Sequence, residues 1–192
     1  GTVNTVFAGN VTATDSLLVT GSTPTITIGD AGAEDTKIVF DGNAQDFYVG
    51  LDDSADDLII GKGSTVGTTP VISIDENLVS TFGGAAVGAT LTDTTNTGNI
   101  TLDFNAYQNF VLTFTGNVTL DNPTTESTGQ SGFIVIIQDG TGSRTLSLGT
   151  DYETAGSAGI TLSTTASARD IIPYAVSATG SILLGKIQKA FG

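Results

Sequence analysis

The stretch that most constrains the fold is a short, unbroken apolar run, Phe133 to Ile137, with Gly132 before it and Gln138-Asp139-Gly140 after it. A run of this length is typical of a strand that is covered on both faces, because a buried helix needs about ten residues or more. Turn-forming residues follow, and then Arg144 to Leu148 alternate polar and apolar, which predicts a half-buried partner strand. The sequence therefore predicts that residues 132–148 form the central hairpin of an antiparallel β-sandwich.

The composition agrees with an all-β chain and excludes several enzyme classes. Of the 192 residues 25 are Gly, and Thr, Ser, Asn and Val are abundant, which favours strands and turns over helices. The chain has no Cys, and hence no disulfide and no thiolate metal site. It also has no His, so a Ser-His-Asp triad and an imidazole metal ligand are both excluded. A zinc or copper enzyme is not expected.

The charge balance excludes nucleic acid as a partner. Lys and Arg number 6 and Asp and Glu number 20, which gives a net charge of −14. Phosphate contacts need Lys and Arg, and an anionic membrane surface would repel this chain. No run of 18 apolar residues occurs, so we expect no membrane insertion.

The first eighty-five residues consist of short strand-like segments separated by turns about every ten residues. The segments are Thr2–Phe7, Val11–Thr14, Ser16–Thr20, Thr25–Ile28, Lys37–Phe40, Phe47–Leu51, Leu58–Ile60 and Val71–Asp75. Strands of about four residues cannot bury a core within one chain. We therefore expect this region to wind around copies of itself, as in a trimeric fibre, or to stack as a solenoid.

The strands are longer in the second half, after a Gly/Ala-rich stretch from Leu78 to Val87 that we interpret as a linker. Apolar and polar residues alternate around Phe110, Leu112 and Phe114, and likewise from Ile100 to Phe104, which gives each strand one apolar face. The strand Asp170–Val176 contains Pro173, which predicts an edge or a bulge. About eight strands in about 100 residues is the size of a sandwich or jelly roll.

The predicted fold is therefore all-β, with two regions. Residues 1–85 form a fibre-like oligomerisation and attachment region of short strands. Residues 86–192 form an antiparallel, jelly-roll-like β-sandwich.

One acidic segment is a candidate metal site. Asp52, Asp53, Asp56 and Asp57 place four carboxylates within six residues, and Ca²⁺ accepts six to eight oxygen ligands from such loops. The spacing is not that of an EF-hand, and the alternative is a solvated turn in which the Asp side chains cap backbone N–H groups. Further ligands could come from a neighbouring turn or subunit, through Asp30, Glu34, Asp35, Asp41 and Asp46. No other cofactor is expected.

Other candidate sites have simpler interpretations. Paired carboxylates are typical of glycosidases, but there are only 9 Phe and 4 Tyr and no Trp to form a sugar platform. Lys62-Gly63-Ser64-Thr65 lacks the upstream Gly and the helix of a phosphate-binding loop. Arg144 and Arg169 each have an acid nearby, Asp139 and Asp170, which predicts structural ion pairs. We assign no catalytic residue and expect no enzyme activity.

Two parts of the sequence resemble phage proteins. Ile38–Leu58, with the flanking segments Gly9–Thr14 and Pro70–Asp75, resembles a module of tail-fibre and other virion structural proteins of tailed phages, especially marine ones. This resemblance covers about residues 8 to 82. Gly140–Leu148 and Arg169–Val176 resemble the C-terminal β-domains of phage fibre and head-fibre proteins.

The resemblance implies a non-enzymatic, β-rich virion structural protein on the extracellular particle. Such elements are commonly homotrimeric and contact other capsid or tail proteins. The resemblance does not separate a tail fibre from a head fibre or a capsid decoration protein. The alternative function is a carbohydrate-binding adhesin, whose C-terminal loops would bind a host surface glycan.

Overall fold

The computed structural model describes residues 7–192 as two compact units, one ending at Ala86 and one spanning Val87–Gly192. The prediction of an all-β chain is confirmed, since the only helical segment among the described residues is the 3-10 turn Ala155–Ser157. The strands are β1 Thr36–Phe40, β2 Phe47–Asp52, β3 Asp57–Lys62, β4 Pro70–Ile74, β5 Ser80–Phe82, β6 Thr90–Thr101, β7 Asn109–Asp121, β8 Ser131–Gln138, β9 Leu146–Leu148, β10 Tyr152–Thr154, β11 Arg169–Ala178, β12 Ser181–Leu184 and β13 Gln188–Phe191.

The first unit is a five-stranded antiparallel sheet in which each strand pairs with the next along the chain. One face carries a small core of Tyr48, Ile59 and Val66. The ring of Tyr48 lies over Gly61, where a Cβ atom would come within 2.2 Å of it, so this position accepts only glycine without rearrangement. The N–H of Gly67 donates to Tyr48 Oη at 3.0 Å and holds the loop after β3 over this face.

Two predictions for the first half are wrong. Residues 7–35 contain no strand, although Val11–Thr14, Ser16–Thr20 and Thr25–Ile28 were predicted as strands; Thr2–Phe7 lies outside the described residues except for Phe7. A strand needs a neighbouring ladder to satisfy its backbone, and these segments lie exposed without one. The predicted linker Leu78–Val87 is also partly wrong, because its residues 80–82 form β5 and pair with β4.

The second unit is built on one eight-stranded sheet with the order β10-β12-β11-β8-β7-β6, to which β13 adds beside β11 and β9 beside β7. β6, β7 and β8 are parallel neighbours, whereas β11 is antiparallel to β8, β12 and β13. β7 pairs with β8 through Phe110–Phe114 and with β9 through Val118–Leu120. The sheet therefore splits where β7 changes its partner from β8 to β9, which gives a sandwich-like arrangement. Seventeen buried side chains form the core of the unit.

The predicted central hairpin is wrong in its pairing. β8 forms as predicted, but β9 pairs in parallel with the second half of β7 and not with β8. The Gln138 side chain explains the difference, because it accepts from Arg144 N at 2.8 Å and donates to Arg144 O at 3.0 Å. The segment after the turn is thereby held at the end of β8, and Thr145 O accepts from Val118 N of β7.

Pro173 lies in an interior strand, not at an edge, because β11 is flanked by β8 on one side and by β12 and β13 on the other. The N and O atoms of a strand residue point to the same side, and Pro173 O accepts from Gly185 N, just beyond the end of β12. The missing N–H of Pro173 therefore faces Gly185, so the pair keeps the bond from Gly185 N and lacks the reciprocal one, and β12 ends at Leu184.

Candidate interaction surface

The second face of the first unit's sheet is apolar on every strand. Side chains alternate between the faces of a strand, and the ladder register places like residues side by side. Val49 lies opposite Ile38 on one side and Ile60 on the other, and Ile60 lies opposite Ile72, which lies opposite Phe82. We call this surface the first-unit face; it consists of Ile38, Phe40, Phe47, Val49, Leu51, Leu58, Ile60, Ile72, Ile74 and Phe82.

Among residues 7–192 only a small part of the first-unit face is covered, where Ile28 lies beside Ile38, Val49 and Leu58. Eight of its side chains expose between 37% and 60% of their surface, and Ile72 and Ile74 are half-buried. Together they leave on the order of 800 Å² of apolar surface open, which is about what one partner contributes to a specific protein interface. The largest apolar patch of an ordinary monomer is about 300–600 Å². This face is therefore a candidate protein-binding surface.

The first-unit face is also free of acidic residues. Residues 7–80 contain 12 Asp and Glu, of which ten lie outside the strands and two, Asp52 and Asp57, lie at strand ends. The only charged side chain whose strand position falls on the face is Lys62, at the end of β3 and opposite Phe47. An interface core is typically depleted in charge, and this face has that composition in a chain of net charge −14.

The short strands predict that the first region buries its apolar residues against other copies, but they do not identify which residues form the surface. A signal for them is present in the chain. Phe47, Val49 and Leu51 alternate with smaller or polar positions, as do Ile38 and Phe40 on the preceding strand. What the pattern could not give is the partner of each strand, which decides whether these residues form one surface.

The predicted calcium ligands are brought together in the hairpin turn between β2 and β3. Asp52 and Asp57 are paired at the strand ends, and Asp53 and Asp56 lie in the turn, the latter with a left-handed φ of 56°. Asp52 Oδ1 accepts from Ser54 Oγ at 2.7 Å, which is typical of a turn closed by its own side chains.

Among the further predicted ligands Asp35 approaches this turn, because its Oδ1 accepts from Asp53 N at 3.1 Å. Asp30, Glu34 and Asp46 instead accept from backbone N–H groups of their own loops. Within residues 7–192 no group of three or more acidic side chains has the arrangement of metal ligands. The calcium site stays a prediction, which calorimetric titration with Ca²⁺ would test through the heat of binding and the shift in melting temperature.

One of the two predicted ion pairs is confirmed. Arg144 Nη2 lies 2.7 Å from Asp139 Oδ2, and Arg144 Nε donates to both carboxylate oxygens at 3.2 Å. This fork lowers the pKa of Asp139 from 3.8 to about 2. The pairing of Arg169 with Asp170 is wrong, because successive strand residues point to opposite faces. Asp170 is buried and accepts from Ser163 N, Ser163 Oγ and Ala190 N.

The comparison with known proteins bears on the second unit. Residues 86–180 match the model of the family described as "Putative phage tail fibre C-terminal domain". The second unit is similar to a phage tail fibre domain. None of the curated proteins and none of the solved structures matches the chain. The similarity supports a phage virion structural protein, whereas the marine origin stays a prediction.

The part that resembles the tail fibre domain contains two buried oxygen atoms without a hydrogen-bond partner, Glu126 Oε2 and Tyr152 Oη. Burial, with a smaller contribution from Glu126, raises the pKa of Tyr152. Tyr174 differs, since its hydroxyl donates to Gln108 O at 2.6 Å; burial raises its pKa to about 12.

Across residues 7–192 there is no helix with the length and hydropathy needed to cross a membrane.

Proposed function

We propose that this chain is a non-enzymatic structural segment of a phage tail fibre and that it assembles as a homotrimer through the first-unit face. The first-unit face is the observation that carries the proposal. A sheet with one apolar face must bury it against another layer, and the small core around Tyr48 covers only the opposite face. A tail fibre is favoured over a head fibre or a decoration protein by the match of residues 86–180.

Other copies of the chain are the partner that fits the charge of this face. An acidic protein that bound a basic partner would present its carboxylates at the contact, since complementary charge steers association. The first-unit face instead lacks acids, so that identical copies can meet without opposing like charges. Three such sheets around a three-fold axis would enclose all three faces in one core, as closed symmetry requires.

The experiment compares two substitutions in the full-length chain. Ile60 lies on the first-unit face and is 43% exposed, while Val71 is 42% exposed and is the residue without a partner on β3 at the bulge between β3 and β4. We expect sedimentation of the unaltered protein to give three times the chain mass. Ile60→Asp should give monomers under the same conditions, because an unpaired carboxylate in an apolar interface costs several kcal/mol. Val71→Asp should leave the trimer intact.

A monomeric unaltered protein, or equal effects of the two substitutions, would contradict the proposal. Attachment to neighbouring virion proteins is part of the same proposal, and the virion is the proposed location. The alternative role, binding of a host glycan by the second unit, is tested by applying the full-length chain to a glycan array.

A further inference from the structure

The chain contains two Asp-Gly pairs, Asp41-Gly42 and Asp139-Gly140. An Asp that precedes a Gly can isomerise, because the Gly nitrogen attacks the side-chain carboxyl carbon of the Asp and closes a succinimide ring. Glycine has no side chain to obstruct the attack and leaves the backbone free to turn. The reaction needs a carboxyl group that is protonated and free to rotate, so the surroundings of each carboxyl decide which pair reacts.

The carboxylate of Asp139 is held by several donors. Its Oδ1 accepts from Thr141 N at 3.0 Å and from Gly142 N at 2.9 Å, and the Arg144 guanidinium donates to both oxygens. The Arg144 side chain, together with these backbone donors, holds the pKa of Asp139 at about 2. The carboxyl is therefore ionised and fixed in orientation, and these bonds would have to break before Gly140 N could attack it.

The carboxylate of Asp41 has different surroundings, in the exposed loop between β1 and β2. Asp41 is exposed, and within residues 7–192 no donor forms a hydrogen bond to its carboxylate. Gly42 N donates to Asp46 Oδ1 at 3.1 Å, so a carboxylate lies within general-base distance of the attacking nitrogen. The loop also needs the glycine, because a Cβ at position 42 would come within 2.5 Å of Gln45 O.

We propose that Asp41-Gly42 is a site of spontaneous isomerisation to isoaspartate and that Asp139-Gly140 is not. Gly42 N forms a bond to Asp41 Cγ, and the hydroxyl of the protonated carboxyl leaves as water with the amide proton, which Asp46 Oδ1 takes up and passes on. Water then adds to the ring at the backbone carbonyl carbon of Asp41, which breaks its bond to nitrogen and leaves isoaspartate. Addition at Cγ restores Asp, and neither product changes the mass of the chain.

Isomerisation would alter the hairpin between β1 and β2. The isoaspartyl linkage adds one methylene group to the main chain, in a loop where position 42 already lies against Gln45 O. Phe40 and Phe47 form the ladder pair next to this loop, so a longer loop should loosen that end of the hairpin. The reaction occurs within one chain and does not depend on the self-association proposed above.

The test follows both pairs in the same full-length protein. The folded chain is incubated at mildly acidic pH, samples are digested, and isoaspartate at each position is measured by electron-transfer fragmentation, which distinguishes the two linkages. We expect isoaspartate to accumulate at 41 at least about tenfold faster than at 139, because the low pKa of Asp139 depletes its protonated form. Equal rates at the two positions, or no isoaspartate at 41, would overturn the inference.

Two controls separate the fold from the local sequence. Arg144→Gln removes the guanidinium from Asp139 and should raise the rate at 139 by at least about fivefold while the rate at 41 is unchanged. In denaturant both carboxyls are free, and the two pairs should isomerise at similar rates. A rate at 139 that Arg144→Gln does not change, or a contrast that persists in the unfolded chain, would overturn the assignment of the difference to the structure.

Discussion

The two units differ in how much of their apolar surface each copy can bury alone. Among the described residues the first unit has three core side chains, and the second has seventeen. The first-unit face is open on all five strands, whereas the second unit already encloses most of its large side chains. If the chain assembles as proposed, we expect the second unit to be stable in a single copy and the first to obtain its main core from other copies.

Protein concentration should therefore affect the stability of the two units differently. A region stabilised by association melts at a temperature that depends on protein concentration, whereas a region with its own core does so far less. Hydrogen exchange measured by mass spectrometry separates the units, because peptides from β2 and β3 report on the first and peptides from β7 and β8 on the second.

The largest expected effect is Phe110→Ala in the core of the second unit. Phe110 is fully buried and packs against Phe104, with ring centroids 5.1 Å apart, so its truncation leaves a cavity and should cost about 3–5 kcal/mol of unfolding free energy. Hydrogen exchange should accelerate in β7 and β8 at every protein concentration. Phe82→Ala on the first-unit face is the control, and its effect should disappear in dilute protein. A loss below about 1 kcal/mol for Phe110→Ala would contradict a self-sufficient second core.

A smaller effect is expected from Gly61→Ala in the first unit. The added methyl would collide with the ring of Tyr48, and such overpacking costs about 1–3 kcal/mol. Exchange in β2 and β3 should accelerate while the second unit is unchanged. Gly84→Ala is the matched control, since a Cβ at that position meets nothing within 4 Å. If Gly61→Ala behaves like Gly84→Ala, the small core around Tyr48 does not support the first sheet.

The strands that the sequence predicted well are those that pair with their chain neighbours. β1 to β4 lie within two residues of their predicted bounds, because acidic turns separate β1, β2 and β3, a Gly/Thr-rich loop precedes β4, and each strand meets the next. In the second unit, Phe110, Leu112 and Phe114 share one buried face as their alternation indicates. Local turn chemistry and period-two patterns contain this information.

The pairings that the sequence could not give depend on contacts distant in the chain. β9 joins β7 because of the Gln138 side chain, a contact that no local pattern reveals. Asp170 accepts from Ser163 and Ala190, and not from the adjacent Arg169, because the topology brings those segments to the inner face. The first-unit face was missed as a specific surface for the same reason, since register decides which side chains adjoin.

Two buried tyrosines of the second unit give a matched pair with opposite expectations. Tyr174→Phe removes the donor to Gln108 O and should cost about 1–2 kcal/mol of unfolding free energy. Tyr152→Phe removes a buried hydroxyl without a partner, beside the unpartnered Glu126 Oε2, and should be neutral or stabilising. Denaturant unfolding of both variants measures the difference. An equal loss for the two would show that the Tyr152 hydroxyl is hydrogen-bonded in solution.

The smallest effect concerns the exposed end of the second core, where Asp139 pairs with Arg144. The pKa of the Asp139 carboxyl is about 2 in the folded chain and about 3.8 in the unfolded chain. The ionised carboxylate therefore stabilises the folded state above about pH 4, and this contribution is lost as the pH falls from about 4 to about 2. The melting temperature of Asp139→Asn should therefore lie below that of the unaltered protein at neutral pH and converge with it near pH 2.

Arg144→Gln, which removes the other partner of this ion pair, should show the same convergence. A difference that stays constant with pH would mean that Asp139 is not stabilised as an anion by its neighbours. The measurement also bears on the contrast between the units. The Asp139–Arg144 pair lies in the second unit, so the convergence should appear in exchange from β8 and not in exchange from β2 and β3.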